Sequence, residues 1–319
     1  MRALVKFVLG SAACAGLVLP AQTAAVAAAA VEDHVVPTTG CGTAAAVQPG
    51  TSGVGHLESG GVERSFVLHV PAGYSPGDPT AVVLAFHGRK GTGAELEEFS
   101  GLSSLPALVV YPDGLPVDGK TAWEGAPYSP PVDDVLFTSE LLDHVQATYC
   151  VDSSRIYATG KSNGAGFTAL LACRLPHRIA AFAPVAGAFY PQSRVGCRPG
   201  TPVPMMEFHG VADPIIEYVG GESHGFPFPA VTDWLTTWVD HDHCRTETAE
   251  RIEPDVTHFS WTDCAGGAEV EHYRIDGAGH TWPGELANSG PGSATQTISA
   301  TRAMWRFFTA HPLNGLPRT

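Results

Sequence analysis

A serine flanked by glycines is the first residue in this chain whose setting points to chemistry. Residues 160–164 read Gly-Lys-Ser-Asn-Gly, which fits the G-x-S-x-G pattern of a nucleophile elbow. The segment before them, 155–159, is short, apolar and β-prone, and residues 164–175 are rich in Ala and Leu at helical spacing. The pattern predicts that Ser162 lies on a tight turn between a strand and a helix, with its hydroxyl projecting from the edge of a sheet.

A serine hydroxyl attacks a carbonyl group only when a base removes its proton, and that base in turn needs a carboxylate. Asp213 and His280 follow Ser162 in the chain order of the α/β-hydrolase triads. Asp213 comes just after the apolar run 203–208, and His280 lies among the small residues of 277–284. Either residue alone could be an ordinary turn or loop residue. Their order and their position after strands predict a triad of Ser162, Asp213 and His280.

The oxyanion of such a reaction needs two backbone N–H donors. One comes from the residue after the nucleophile, here Asn163, and the other from the loop that follows an early strand. Residues 86–91 read Phe-His-Gly-Arg-Lys-Gly after a buried apolar run, and we predict that the N–H of Arg89 is the second donor.

The elements that must position these residues alternate along the chain. The predicted strands are 64–70, 81–86, 107–111, 155–159, 179–185 and 203–208. The predicted helices cover about 133–149, 164–175, 230–239 and 297–309. Strands separated by helices of this length indicate a doubly wound, mostly parallel sheet, so we predict a single catalytic domain of the α/β class over residues 62–319.

The chain begins with features of a secretory signal peptide. A basic start is followed by an apolar stretch and an Ala-rich run, which predicts a signal peptide over residues 1–29 and a secreted, extracellular protein. Residues 30–61 are rich in Ala, Gly, Thr and Val, and we expect an irregular lead-in there. No later segment is apolar for long enough to span a bilayer, so no membrane anchor is expected.

Six cysteines follow the predicted leader, and an even count in an exported chain indicates up to three disulfides. Fifteen pairings are possible in principle. Short separation favours Cys244 with Cys264 and Cys173 with Cys197, which leaves Cys41 to pin the lead-in to Cys150.

The net charge of −14 argues against nucleic acid or an anionic membrane as a partner and suits neutral substrates. The cysteines form no C-x-x-C pair, and the Asp-His-Asp-His run at 240–243 is better explained as a solvated helix end. We therefore expect no metal and no cofactor. A monomer is also expected, although the sequence does not give the oligomeric state.

Several motifs together resemble one known group of enzymes. They are Tyr-Cys-Val-Asp at 149–152, Arg-Ile-Tyr-Ala-Thr-Gly-Lys-Ser-Asn-Gly at 155–164, Phe-Ala-Pro-Val at 182–185, Glu-Phe-His-Gly at 207–210 and Gly-His-Thr-Trp-Pro at 279–283. Over about residues 62–309 the chain is similar to secreted polyhydroxybutyrate depolymerase-like esterases, and within them to feruloyl esterases of carbohydrate esterase family 1. The resemblance implies an α/β-hydrolase fold, the same triad and a serine esterase acting on hydroxycinnamate esters of plant cell-wall polysaccharide.

An aromatic acyl group needs an aromatic pocket, and Trp123 and Trp282 are its predicted walls, with core packing as the alternative. The resemblance leaves the acyl group open, because the same family contains acetyl xylan esterases and polyester depolymerases. A catalytically silent binding or surface protein is the rival from another class. The intact Ser, Asp and His argue against it, and no appended polymer-binding module is expected.

Overall fold

The computed structural model describes residues 35–198 and 200–313, and within them the chain forms fourteen strands and five α-helices. The strands are β1 (Thr51–Ser59), β2 (Val62–Val70), β3 (Thr80–Phe86), β4 (Leu108–Pro112), β5 (Leu115–Val117), β6 (Lys120–Ala122), β7 (Val151–Lys161), β8 (Ala181–Val185), β9 (Met205–Gly210), β10 (Gly221–Ser223), β11 (Phe226–Phe228), β12 (Thr246–Glu253), β13 (Val256–Thr262) and β14 (Val270–Ile275). The helices are α1 (Gly93–Ser100), α2 (Asp134–Thr148), α3 (Asn163–Arg174), α4 (Val231–His241) and α5 (Ala300–Ala310).

In the described part of the chain, ten strands form one sheet in the order β1-β2-β4-β3-β7-β8-β9-β14-β13-β12. The central strands from β4 to β14 pair in parallel. Antiparallel strands close both edges, β1 and β2 on one side and β13 and β12 on the other. Because parallel strands point the same way, the carboxyl ends of β7, β9 and β14 meet at one edge of the sheet. The predicted mostly parallel sheet is confirmed.

Helices cover both faces of the sheet. Alternate residues of the apolar run 81–86 in strand β3 enter two different cores, since successive side chains of a strand point to opposite faces. Helices α2, α3 and α4 contribute to the core on one face, and α1 and α5 contribute to the core on the other. Asp133 caps α2 by accepting a hydrogen bond from the Leu136 N–H at 2.7 Å. The sheet is therefore doubly wound.

The prediction of an irregular lead-in over residues 30–61 is wrong for its last part. Thr51–Ser59 form strand β1, which pairs antiparallel with β2 along its whole length. Most of its residues are exposed or half-buried, so the segment shows little of the apolar alternation by which strands are recognised. A Cβ atom at Gly55 would lie 2.3 Å from the ring of Phe66, so the glycine leaves room for that ring. Segment 51–59 is therefore a strand because it pairs with β2, and its own sequence gives little indication of a strand.

The three predicted disulfides are confirmed. Cys41 pairs with Cys150, Cys173 with Cys197, and Cys244 with Cys264. The first pair ties the lead-in to the start of β7, where Pro37 also forms a β-bridge with Asp152. Closing a long loop restricts the unfolded chain more than closing a short one, and this pair spans 109 residues.

The predicted signal peptide, residues 1–29, lies outside the described residues and stays a prediction. Within the described ranges, no helix is both long enough and apolar enough to cross a membrane.

Candidate active site

Ser162 occupies the turn between β7 and α3 that the sequence predicts. Its backbone has φ 58° and ψ −117°, a conformation that non-glycine residues rarely adopt and that costs about 1–3 kcal/mol. The flanking glycines allow the close approach that this turn needs. A Cβ atom at Gly160 would lie 2.4 Å from the carbonyl oxygen of Gly164, and one at Gly164 would lie 2.1 Å from that of Phe86. The structure therefore shows a strained elbow that presents the serine at the sheet edge.

Asp213 and His280 meet at the same edge. Asp213 follows β9 and His280 follows β14, and His280 Nδ1 donates to Asp213 Oδ2 at 2.7 Å. The other carboxylate oxygen accepts the N–H groups of Ile215 and Ile216 at 2.8 and 2.9 Å. Because Nδ1 carries the proton, Nε2 is the free acceptor of the imidazole ring. His280 and Ser162 line one cavity, so the structure brings the three predicted residues together.

A buried chain of charged groups lies behind Asp213. His209 Nδ1 contacts Glu207 Oε1 at 3.0 Å, and its Nε2 contacts the carbonyl oxygen of Ile216 at 2.9 Å. Both neighbours accept hydrogen bonds, so both ring nitrogens must donate and the imidazole must be charged. Glu207 pairs on its other side with His272 at 2.8 Å, and His209 lies 3.5 Å from Asp213 Oδ2. The sequence analysis used Glu207 and His209 only as part of the Glu-Phe-His-Gly motif and did not predict this network.

The surroundings shift the pKa values of these groups in opposite directions. Burial lowers the pKa of His280 to about 4, and the nearby positive charge of Lys161 acts in the same direction. Burial opposes the charge of His209, but the Glu207 carboxylate outweighs it and raises the pKa of His209 to about 10. Burial also opposes ionisation of Asp213, yet the hydrogen bonds from His209 and His280 hold the pKa of that carboxyl well below its usual range. At neutral pH Asp213 is therefore an anion beside a neutral His280.

The cavity that contains Ser162 and His280 has a volume of about 1080 Å³ and an aromatic side. Its aromatic lining residues are Phe99, Tyr128 and Tyr190. The ring centroids of Tyr128 and Tyr190 lie 5.9 Å apart in an edge-to-face arrangement. The Arg89 guanidinium lies 4.6 Å from the centre of the Tyr128 ring, and its Nη1 contacts His224 at 3.0 Å. The cavity is large enough for a small aromatic acyl group.

The prediction that Trp123 and Trp282 form the acyl wall is wrong. Both side chains are fully buried and neither lines the cavity. Trp123 stacks with Phe137 and Phe167 in the core under α2 and α3. Trp282 packs in the other core, where its Nε1 donates to Thr301 at 3.3 Å. Each ring buries more apolar surface in a core than it would at an open cavity.

The aromatic residues that do line the cavity are Phe99 and two tyrosines, Tyr128 and Tyr190, none of which the sequence analysis predicted. Tyr128 lies in the same connection as Trp123, between β6 and α2, and Tyr190 follows β8. A phenol can expose its hydroxyl while burying its ring, so tyrosine is the more natural residue at such a boundary. This preference of tyrosine for boundary positions is the sequence signal that could have favoured Tyr128 over Trp123 as a cavity residue.

The two predicted oxyanion donors are Asn163, at the start of α3, and Arg89, in the loop after β3. Asn163 begins α3, and its buried side chain holds the backbone of Trp123 through bonds of 2.7 and 3.2 Å. Gly88 approaches the nucleophile so closely that a Cβ atom there would lie 3.3 Å from Ser162 Cβ. Arg89 follows it and lines the cavity. The assignment of the Asn163 and Arg89 N–H groups as the oxyanion hole stays a prediction.

A metal-binding site is not seen among the residues that the structure describes. No group of three or more His, Cys, Asp and Glu side chains is placed there to hold a metal ion.

The parallel sheet, the serine elbow after β7, the acid after β9 and the histidine after β14 define an α/β-hydrolase. Solved structures agree on this fold. Acetyl xylan esterase from Aspergillus awamori aligns with a TM-score of 0.57 at 16% identity, covering 80% of this chain and 98% of that one. Thermogutta terrifontis esterase 2 aligns with a TM-score of 0.52 at 15% identity, covering 84% and 96%.

Residues 58–282 match the model of the Esterase family. The chain belongs to that family, and the predicted assignment to the carboxylic ester hydrolases is confirmed at the level of the family.

Curated relatives are similar at modest identity. Feruloyl esterase C of Emericella nidulans is 26% identical over 287 residues, which cover 87% of this chain and 93% of the relative. Feruloyl esterase B of Piromyces equi is 28% identical over 228 residues, covering 68% of this chain but 42% of the relative. For the bifunctional acetylxylan esterase/xylanase XynS20E of Neocallimastix patriciarum the identity is 26%, with 69% and 31% covered. The chain therefore spans less than half the length of the last two proteins.

Proposed function

We propose that this protein is a serine ester hydrolase that releases hydroxycinnamic acids from plant cell-wall polysaccharide. The observation that carries the proposal is the strained Ser162 elbow, which shares an aromatic-lined cavity with His280, whose Nδ1 is hydrogen-bonded to Asp213. The names of the Piromyces and Emericella relatives support the feruloyl substrate class.

In the first half of the reaction, His280 Nε2 takes the proton of the Ser162 hydroxyl as Oγ attacks the ester carbonyl carbon. Asp213 stabilises the imidazolium that forms, and the backbone N–H groups of Asn163 and Arg89 receive the oxyanion. The C–O bond to the alcohol then breaks, and His280 gives its proton to the leaving alcohol. An acyl group stays bound to Ser162.

In the second half, His280 takes a proton from water, whose oxygen attacks the acyl carbon. The bond from that carbon to Ser162 Oγ breaks, and the proton on His280 returns to the serine. The product is a carboxylic acid, which ionises in neutral solution. No step in this cycle needs a cofactor.

The aromatic side of the cavity should favour esters with an aromatic acyl group over esters with a small one. A planar cinnamoyl ring can pack against Tyr128, whereas an acetyl group leaves that wall unused. The alternative enzymes are a polyester depolymerase and an acetyl xylan esterase. The name of the relative XynS20E supports the acetyl xylan alternative. A silent binding protein is disfavoured because Asp213 and His280 are already paired beside the serine.

We also propose that the protein is exported. The predicted signal peptide supports export, and so do the three disulfides, which form and persist mainly in oxidising compartments.

Replacing Tyr128 by Ala should lower kcat/KM for methyl ferulate about 2- to 12-fold more than for p-nitrophenyl acetate, because only the aromatic acyl group loses ring contacts worth about 0.5–1.5 kcal/mol. Tyr128→Phe is the matched control, since it keeps the ring and should keep the preference. The two esters and a polyhydroxybutyrate film are assayed side by side with the purified mature chain. If the protein clears the film and ignores methyl ferulate, the depolymerase alternative replaces this proposal.

Ester hydrolysis should continue into acid and fall with a midpoint near pH 4, which is the lowered pKa of His280. Only the neutral imidazole accepts the serine proton, so activity is present above the pKa and is lost as the pH falls through it. The measurement is kcat/KM for p-nitrophenyl acetate between about pH 3 and pH 8, with circular dichroism to confirm that the fold persists. A midpoint at the ordinary histidine value of about 6.5 would show that burial and Lys161 do not act on this base as inferred.

A further inference from the structure

Lys161 is a buried cation that the reaction described above does not use. It is the last residue of β7, directly before the nucleophile, and it is 5% exposed. Its side chain lines the cavity together with Ser162 and His280. In the described part of the chain its ammonium group has neither a hydrogen-bond partner nor an ion-pair partner. Lys161 Nζ is absent from the fully buried unpaired atoms of the described residues, so it meets the cavity, where water or a ligand can offset the cost of burying the charge.

The two carboxylates that act on Lys161 from a distance, Asp213 and Glu285, each bond to other groups. Asp213 bonds to His280 and to two backbone N–H groups. Glu285 accepts from the N–H of Ser289 at 3.0 Å and from the hydroxyl of the same residue. Both carboxylates favour the charged form of Lys161 from a distance, while burial opposes it and lowers its pKa to about 8. At neutral pH the ammonium is therefore mostly charged and still open to a ligand.

The ammonium group of Lys161 lies at the cavity that also contains Ser162 and His280. A Cβ atom at Gly290 would lie 3.0 Å from Lys161 Nζ, so the glycine of the loop that lines the cavity leaves room around the charge. The twelve-residue helix α3 begins at Asn163, so the partial positive charge of its first turn lies next to Ser162. The Lys161 ammonium and this helix end therefore both add positive potential at the cavity, although Glu95, Glu98, Glu217 and Glu222 also line it.

We propose that Lys161 forms an anion subsite next to Ser162 that binds the carboxylate product of ester hydrolysis. The acyl carbon leaves Ser162 as a carboxylic acid, and once its proton is lost to solvent the product is an anion beside this ammonium. Binding of the product at this subsite slows its release and makes simple carboxylates competitive inhibitors. The inference rests on ester cleavage at Ser162 and is independent of which acyl group the protein prefers.

The test measures binding of acetate to the full chain with Ser162→Ala, by calorimetry in low-salt buffer, so that no turnover is needed. Adding Lys161→Met should weaken acetate binding by about 10-fold or more, as expected for loss of a charged hydrogen-bond donor. Adding Lys90→Met, which removes an exposed lysine at the same cavity, should change the affinity by less than roughly 2-fold. Circular dichroism confirms that each variant is folded.

A second measurement keeps the inference testable if Lys161→Met fails to fold. Acetate affinity of the Ser162→Ala chain should fall as the pH rises through about 8, where Lys161 loses its proton. Constant affinity from neutral pH to about pH 9.5, or equal binding with and without Lys161, overturns the subsite. Failure of the esterase proposal would appear instead as a lack of turnover by the unmodified chain, whatever its affinity for acetate.

Discussion

Ester hydrolysis by the Ser162→Ala protein should fall at least about 1000-fold in kcat, while the protein folds as before. The loss is large because the alanine has no oxygen to form the acyl-enzyme, so only water can attack the ester. Folding should be unaffected, since only one atom at the mouth of the cavity is removed. Steady-state kinetics with p-nitrophenyl acetate and thermal unfolding monitored by circular dichroism measure the two effects.

Ser104→Ala is a matched control, because that serine is exposed and its hydroxyl donates to the nearby Gly101 carbonyl. Its activity should equal that of the unmodified chain. A fluorophosphonate reagent should label the unmodified protein and the control, but not Ser162→Ala. Near-normal turnover by Ser162→Ala would refute the elbow serine as nucleophile.

The Asp213→Asn protein should lose about 1000- to 10000-fold in kcat. An amide at this position cannot stabilise the imidazolium of His280, and its NH₂ group favours the wrong tautomer of the ring. The same change removes a negative charge 3.5 Å from His209, so some loss of thermal stability is also expected. Kinetics and thermal unfolding, measured on the same preparation, separate the catalytic effect from the structural one.

Asp276→Asn supplies the comparison, because Asp276 lies near in sequence to His280 but pairs with Arg251 and Arg274. Most of the activity should remain in that protein. If Asp213→Asn were fully active while Asp276→Asn were not, the acid of the triad would have to be reassigned.

The buried Glu207 and His209 give Asp213 a role beyond a single hydrogen bond. Asp213 Oδ2 accepts from His280 Nδ1 and also lies 3.5 Å from Nε2 of the charged ring of His209. A fixed cation behind the acid favours its ionised form, which is the form that can orient His280. The pair therefore acts on the reaction through Asp213, without contacting the reacting atoms.

Local sequence determined the features that depend on backbone conformation and chain order. Glycines on both sides of Ser162 predicted an elbow, and the structure places that serine at φ 58° between β7 and α3. Apolar runs of strand length predicted the parallel centre of the sheet, because a strand buried on both faces can carry hardly any polar residue. The cysteine separations predicted the three disulfides, since short loops favour neighbouring pairs and leave one pair over.

Tertiary structure alone decided which side chains face the cavity. Trp123 and Tyr128 lie in one connection, and only the packing of Trp123 against α2 and α3 sends the tryptophan inward and leaves the tyrosine at the site. Strand β1 exists because β2 pairs with it, and its own residues carry little apolar signal. The isolation of Lys161 depends on where Asp213 and Glu285 find their other partners, because electrostatic pairing is set by distances in space and not by position in the chain.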